Sequence, residues 1–193
     1  MKQSLSILGL AAATLFASAA FAQTSIRAVA SGPSESPPNE SPGSSVATFE
    51  LDGDLLRAEV PFRELLAGAT MAHLHCCTTS AFTGTAGVAI PFVDFPLGVT
   101  AGVYKHAFDL TDASIYDPAF LAAFGGTPAS ASAALIDGIN ANEAYMNIHT
   151  GEVPGGEIRG FLVAAPIPEP ATWGMLGLGL ASLGMLKRRR LGR

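Results

Sequence analysis

The sequence predicts a mainly all-β domain, a Greek-key β-sandwich or barrel that carries a short helical insertion. Three observations predict this class: short segments that alternate apolar and polar residues, Gly/Pro turns between them, and one Ala-rich segment with helical spacing. The hydrophobic segments at the two ends of the chain, a predicted signal helix and a predicted transmembrane helix, have the pattern of targeting segments. They are therefore kept out of the fold assignment, which leaves residues 23–166 for the domain.

The first 22 residues have the composition of a secretory signal peptide. Lys2 is the only charged residue, an apolar stretch follows over residues 7–21, and the segment closes with Ala20-Phe21-Ala22. Small residues in this A-x-A arrangement predict signal peptidase cleavage between Ala22 and Gln23, after export by the Sec machinery. Ala17-Ser18-Ala19 is the alternative cleavage site.

The first half of the domain is predicted to be strands joined by turns. Residues 31–45 are rich in Pro, Ser and Gly, which predicts an irregular surface loop, with a disordered linker as the alternative. Asp52-Gly53-Asp54 predicts a hairpin turn, because Asp-Gly favours positive φ. Alternating residues predict strands at Thr24–Ala30, around Phe49 and Leu51, and at Leu56–Arg63. Thr70–Thr78 is a further predicted strand, and Gly84–Phe92 is predicted to be a turn followed by another strand.

The second half contains the helical insertion. Asp117-Pro118 predicts the start of a short helix that Gly125-Gly126 ends, and Thr127 with Pro128 predicts the start of a second helix, which runs to about Asn140. Its inward residues are expected to be Ala131, Ala134, Leu135 and Ile139. The predicted strands here are Tyr104–Leu110, Ala144–His149 and Glu157–Ala164.

Three histidines form the candidate metal site. His73 and His75 are two residues apart, so on a strand both side chains point to one face, and His149 ends a separate strand. If these strand ends converge, the three imidazoles suffice for copper or zinc with an open fourth position. This pattern resembles the copper-ligand spacing of copper/zinc superoxide dismutases, although the dismutase zinc loop is not recognisable. The alternative is that the histidines form hydrogen bonds with the loop backbone and hold the loops at the open end of the barrel in place.

Cys76 and Cys77 are the only cysteines in the chain. Three interpretations stay open: a vicinal disulfide, soft metal ligands beside the histidines, or one buried and one exposed thiol. Glu157 and Arg159 lie on one face of the last predicted strand. A solvated face is expected there, with a charged network to Glu143 or Glu152 as the alternative.

Several motifs of residues 23–166 resemble those of the CHRD domain, named after chordin. They are Ser36-Pro37-Pro38, Val46–Leu51, Ala72-His73-Leu74-His75, Tyr145–Thr150 and Pro154–Leu162. The resemblance implies a β-rich extracellular domain. The chain departs from the family pattern at Cys76-Cys77, where many members have Gly and Pro, and in the long insertion over residues 94–140.

The charge of this segment limits the classes of partner. Residues 23–166 hold five cations and fifteen carboxylates, a formal net charge of −10, because six cations lie in the terminal segments. Such an acidic domain is not expected to bind nucleic acid. The sequence also has no nucleophile elbow and no phosphate loop, and no carboxylate pair stands out as catalytic, which predicts a non-enzymatic protein.

Residues 167–193 have the pattern of a sorting signal. Pro168-Glu169-Pro170 precedes an uncharged apolar run over residues 171–186, about 24 Å long as a helix at roughly 1.5 Å per residue. A basic cluster follows, which predicts a transmembrane helix with its positive end in the cytoplasm. The cluster consists of Lys187, Arg188, Arg189 and Arg190.

This tail resembles the PEP-CTERM sorting signal of Gram-negative bacteria. The resemblance implies processing by an exosortase, a transient single-pass anchor, and delivery to the cell surface or an exopolysaccharide matrix. The sequence therefore predicts an exported surface or matrix protein that is a non-enzymatic binding or structural module, with exopolysaccharide or surface proteins as candidate partners. The alternative is a copper- or zinc-binding protein of dismutase-like architecture, a metal-dependent oxidoreductase if it is an enzyme.

Overall fold

The structure is a computed structural model that describes residues 24–166, together with residues 178 and 179. Eight strands form one antiparallel sheet, which confirms the predicted all-β class. The strands are β1 (Thr24–Ser31), β2 (Ser44–Asp52), β3 (Leu55–Arg63), β4 (Ala69–His75), β5 (Val88–Pro91), β6 (Gly102–Asp109), β7 (Tyr145–Thr150) and β8 (Ile158–Pro166).

Two helices lie between β6 and β7, as the capping residues predict. Helix α1 spans Pro118–Ala123 and begins at Asp117, whose carboxylate accepts from the Ala119 N–H. Helix α2 spans Pro128–Asn140 and begins at Thr127, whose hydroxyl accepts from the Ser130 N–H. Both caps satisfy N–H groups that a helix cannot pair internally.

The order of the strands is not their order in the chain. It runs β5-β4-β7-β8-β1-β2-β3-β6. Strands β3 and β4 follow each other in sequence, but each lies next to a different edge strand of the sheet. The sheet curls, and aromatic side chains from its two edges meet. Phe92, which follows β5, lies 5.0 Å from Tyr104 and 5.9 Å from Phe108 of β6 between ring centroids.

The inward face of every strand contributes to one hydrophobic core. Alternation places one residue in two toward the core, and aromatic and branched side chains fill it. The largest fully buried side chains are Phe49, Phe108, Ile26, Leu56, Leu74, Ile90, Leu110, Leu135, Met146, Ile148, Ile158 and Leu162.

We call the side of the sheet away from this core the outer face. On β4, β7 and β8 the outer face is also partly covered, because residues 32–43, the outer loop, cross it. Glu35 and Ser41 are each 7% exposed, and the Asn39 side chain donates to the Glu157 carbonyl. The alternative of a disordered linker is therefore wrong, since side-chain hydrogen bonds hold this loop on the sheet.

Strands β1 and β8 bring the two ends of the folded unit together. They are antiparallel, and Thr24 pairs with Pro166 at one end of their register. Among the described residues no helix is both long and apolar enough to cross a membrane. The predicted cleavage site at Ala22 and Gln23, the Pro168-Glu169-Pro170 motif, the apolar run and the basic cluster of Lys187 to Arg190 lie outside the residues that the structure describes.

Candidate metal centre

The three predicted metal ligands lie together on the outer face of two neighbouring strands. On β4 the inward residues Ala72 and Leu74 are buried in the core, so His73 and His75 point outward. His149 lies on the outer face of β7, which pairs directly with β4. We call these three residues the histidine cluster. The pairing of β4 with β7 brings His149 to the other two, because His149 lies 74 positions after His75 in the chain.

The cluster is compact enough for one ion. One ring nitrogen from each histidine lies within 4.8 Å of the others, and His73 Nδ1 is 3.3 Å from His149 Nε2. Two nitrogens bound to one ion at about 2.0–2.1 Å, at the tetrahedral angle, are themselves about 3.3–3.4 Å apart. The closest pair therefore already has the spacing of two ligands of a single ion.

Two backbone carbonyls fix the tautomers of His75 and His149. His75 Nδ1 donates to the Ala86 carbonyl at 3.0 Å, and His149 Nδ1 donates to the Pro154 carbonyl at 2.9 Å. Because a carbonyl oxygen only accepts, both Nδ1 atoms carry the proton, and each neutral ring keeps its lone pair on Nε2. Metal-ligating histidines are held in the same way by a carbonyl or carboxylate behind the ring.

The surroundings of the His75 Nε2 atom distinguish a metal site from histidines that only hydrogen-bond to the loop backbone. This atom is buried and has no hydrogen-bond partner, and the residue as a whole is only 9% exposed, so water does not readily supply one. A buried polar atom without a partner costs about 1–3 kcal/mol. If the histidines only held the loop backbone in place, their two Nδ1 hydrogen bonds would be explained, but the Nε2 lone pair of His75 would have no use. A bound metal ion would accept that lone pair.

Burial lowers the pKa of all three imidazoles and so favours their neutral forms. It lowers the pKa of His75 to about 4, with the Ala86 carbonyl opposing the shift. Burial also lowers the pKa of His73, with a further contribution from His149, and lowers the pKa of His149. Neutral imidazole nitrogens are ligands that suit zinc and copper, and three of them leave a coordination position open. The residues present therefore fit such an ion.

A tyrosine that the sequence analysis missed supports His75. The Tyr145 ring lies parallel to the His75 ring, 4.7 Å away between centroids with an interplanar angle of 2°. Its hydroxyl accepts from the Ala86 N–H at 3.2 Å, so it holds the residue whose carbonyl binds His75. Tyr145 is four residues before His149 on the same strand, and strand alternation alone places both on one face.

Glu35, Asn147 and Arg159 form a buried polar group beside the histidine cluster. Asn147 pairs with His73 across the strands, and its amide donates to Glu35 at 2.8 Å. Arg159, which is 5% exposed, donates to the carbonyls of Ser34 and Gly84. It thus joins the outer loop to residues 76–87, the loop that carries Ala86.

The expected solvated face at Glu157 and Arg159 is wrong. Glu157 is fully buried, and its carboxylate accepts from Ser41 Oγ, the Leu66 N–H and Thr150 Oγ1 at 2.5–2.7 Å. The carboxylate is enclosed by Ser41 of the outer loop, by Leu66 before β4 and by Thr150 of β7, so it does not face solvent. Neither Glu143 nor Glu152 takes part in these bonds.

Cys76 and Cys77, which follow His75, are joined by a disulfide bond in the structure. Their sulfurs are therefore bonded to each other and are not free thiolates for a metal ion. Helix α2 packs against them at Gly138, where a Cβ atom would overlap both sulfurs. The disulfide thus lies between the histidine cluster and the helical insertion.

Comparison with known families agrees with the resemblances seen in the sequence. The model of the CHRD domain matches residues 26–162, and the model of the PEP-CTERM protein-sorting motif matches residues 166–190. No curated protein and no solved structure matches the chain. The family matches identify the folded unit and the tail, and they do not assign a role to the histidine cluster.

Proposed function

The chain belongs to the CHRD domain family, and from this premise we propose that it is an exported surface protein whose CHRD domain binds one copper or zinc ion. The ligands are His73, His75 and His149, and binding rather than turnover is the function. The unpartnered Nε2 atom of buried His75 carries the proposal, because a metal ion supplies the partner that the protein does not.

The tail supports the location. A PEP-CTERM motif implies export and membrane-anchored sorting in Gram-negative bacteria, with processing by an exosortase. We propose that the folded domain is then displayed at the cell surface or in an exopolysaccharide matrix. Replacing Pro168-Glu169-Pro170 with alanines should keep the full-length chain in the membrane fraction, whereas the unchanged protein should be released. Equal release of both chains would contradict this route.

Each histidine has a defined part in ion binding. His75 and His149 present Nε2 lone pairs because their Nδ1 atoms are bonded to carbonyls. His73 presents Nδ1, which lies 3.3 Å from His149 Nε2 and donates to it when no ion is bound. Binding therefore requires His73 to move its proton to Nε2, and the ion then replaces a hydrogen bond between two of its own ligands.

Metal analysis tests the proposal directly. The purified protein is stripped with a chelator, reloaded with Cu²⁺ or Zn²⁺, and its metal content is measured by mass spectrometry. We expect about one ion per chain, lost in His75→Ala and kept in His106→Ala, since His106 lies on β6, outside the cluster. Absence of stoichiometric metal, or equal retention in both variants, would refute the site.

A further inference from the structure

A methionine lies on the outer face of β4 beside the histidine cluster. Strand alternation places Met71, His73 and His75 on the same face, in the spacing Met-x-His-x-His. Met71 is also the direct partner of His149 in the pairing of β4 with β7. Side chains that face each other across two strands have Cβ atoms about 4.5–5.5 Å apart. Met71 is therefore a neighbour of two of the three ligands.

Packing does not explain the position of this side chain. Met71 is 47% exposed, whereas Ala72 and Leu74 of the same strand fill the core. The register shifts between Ala69 and Met71, and such irregularities redirect side chains and are common beside functional sites. Met71 also lines one surface cleft together with His73, Phe95 and Leu97.

The chemistry of the thioether suits the open position of the site. A methionine side chain is unbranched and has three rotatable bonds, so its sulfur can move toward a bound ion without a change in the backbone. Soft sulfur ligands favour Cu(I), whereas imidazole alone serves zinc and copper alike. A sulfur added to three nitrogens would therefore change which ion the site prefers.

We propose that Met71 is the fourth ligand of the site and makes it selective for Cu(I). The inference rests on the proposed metal-binding function and deepens it, because it names the ion that the protein takes up. It includes no electron transfer: Cu(I) binds and leaves as Cu(I).

The test compares Met71→Leu with the unchanged full chain in mild detergent. Leucine keeps the size and apolar character of the side chain and removes only the sulfur. Cu(I) affinity is measured without oxygen by competition with a chromogenic Cu(I) chelator, with ascorbate as the reductant and a thiol assay to verify the Cys76–Cys77 disulfide. Zn²⁺ affinity is measured on the same samples. We expect Met71→Leu to weaken Cu(I) binding at least tenfold and to change Zn²⁺ binding less than twofold.

Other outcomes separate this inference from the proposed function. Unchanged Cu(I) affinity in Met71→Leu, with metal still lost in His75→Ala, would refute the thioether ligand and leave the histidine site in place. Equal weakening of both ions would show a supporting role and also refute it. No binding of any ion by the unchanged chain would refute both. X-ray absorption of the Cu(I) form should show a sulfur neighbour that disappears in Met71→Leu, and its persistence would contradict the assignment.

Discussion

Tyr145 and His75 lie face to face on adjacent strands and hold the same loop residue. The hydroxyl of Tyr145 accepts from the Ala86 N–H, while His75 Nδ1 donates to the Ala86 carbonyl. The stacked rings and this shared residue fix the orientation of the His75 ring beside the other two histidines. Tyr145 is thus a positioning residue of the proposed site.

Replacing Tyr145 separates the two contributions. Tyr145→Phe keeps the stacked ring and loses the bond to Ala86, whereas Tyr145→Leu loses both. We expect Zn²⁺ affinity to fall slightly in the Phe variant and about 10-fold or more in the Leu variant, the usual cost of a disturbed ligand support. Calorimetric titration measures both. Equal affinities in all three proteins would mean that the ring does not position His75.

Removing the buried carboxylate of Glu157 should destabilise the fold. Glu157→Ala leaves the Ser41 hydroxyl and the Leu66 N–H without an acceptor, at an expected cost of about 3–5 kcal/mol in the free energy of unfolding. Glu157→Gln should cost about 1 kcal/mol, because the amide oxygen can serve both donors and the Thr150 hydroxyl can turn to accept.

Urea unfolding measures these free energies, with Glu59→Ala as the control. Glu59 forms an exposed ion pair with Lys105, and such pairs contribute about 0–1 kcal/mol. A loss in Glu157→Ala no larger than in Glu59→Ala would contradict the role of Glu157.

Glu35 should make stability fall as the pH rises. Burial raises its pKa to about 7 from 4.5, with Arg159 opposing the shift. The folded state then binds the proton more tightly than the unfolded state, so its contribution is full below pH 4.5 and is lost as the pH rises through 7. One pKa unit corresponds to about 1.4 kcal/mol, and with partial solvent screening we expect a loss of roughly 2 kcal/mol.

The measurement is the difference in free energy of unfolding between the unchanged protein and Glu35→Gln, from pH 5 to pH 8. The histidines, whose lowered pKa values give stability that is lost as the pH falls below about 6.5, contribute equally to both proteins and cancel. The difference should shrink with decreasing pH. A difference that does not vary with pH would show that Glu35 does not titrate in this range.

Gly138→Ala tests the packing of helix α2 on the disulfide. In a free helix this change is favourable by about 1 kcal/mol. Here the new methyl group would overlap the sulfurs of Cys76 and Cys77, which are bonded to each other and have little room to move. We expect net destabilisation by about 1–3 kcal/mol.

Gly151→Ala is the matched control, because a Cβ atom there meets nothing within 4 Å. Thermal unfolding compares the two variants. If Gly138→Ala is as stable as Gly151→Ala, helix α2 does not rest on the disulfide.

Local patterns predicted most elements of this fold. The alternation in β1 and β3 and the caps at Asp117 and Thr127 were readable because strand and helix periods and capping groups act over a few residues. The hairpin after Asp52 is formed with Gly53 at φ 58°, as the Asp-Gly pair predicts.

The arrangement of the strands and the burial of the loops were not readable in the same way. No local sequence pattern predicts that β4 pairs with β7 rather than with β3, because this pairing depends on contacts between residues far apart in the chain. A Pro/Ser-rich loop has the same composition whether water or the sheet covers it. Glu157 and Arg159 therefore looked solvated, and the support given by Tyr145 became visible only once its neighbours on β4 were known.

The pairing of Thr24 with Pro166 has a mechanical consequence. Both ends of the folded domain lie at the same end of the β1–β8 pair, and the sorting motif follows Pro166 in the sequence. Tension applied between Thr24 and Pro166 would separate β1 from β8 one hydrogen bond at a time, starting at this end of the pair. Paired strands resist this peeling less than they resist sliding along each other. His75 lies in the row of Tyr145 and Phe161, five residues before Pro166, about 17 Å along the strand. The histidine cluster therefore lies well along the sheet from the point where both ends of the domain leave it.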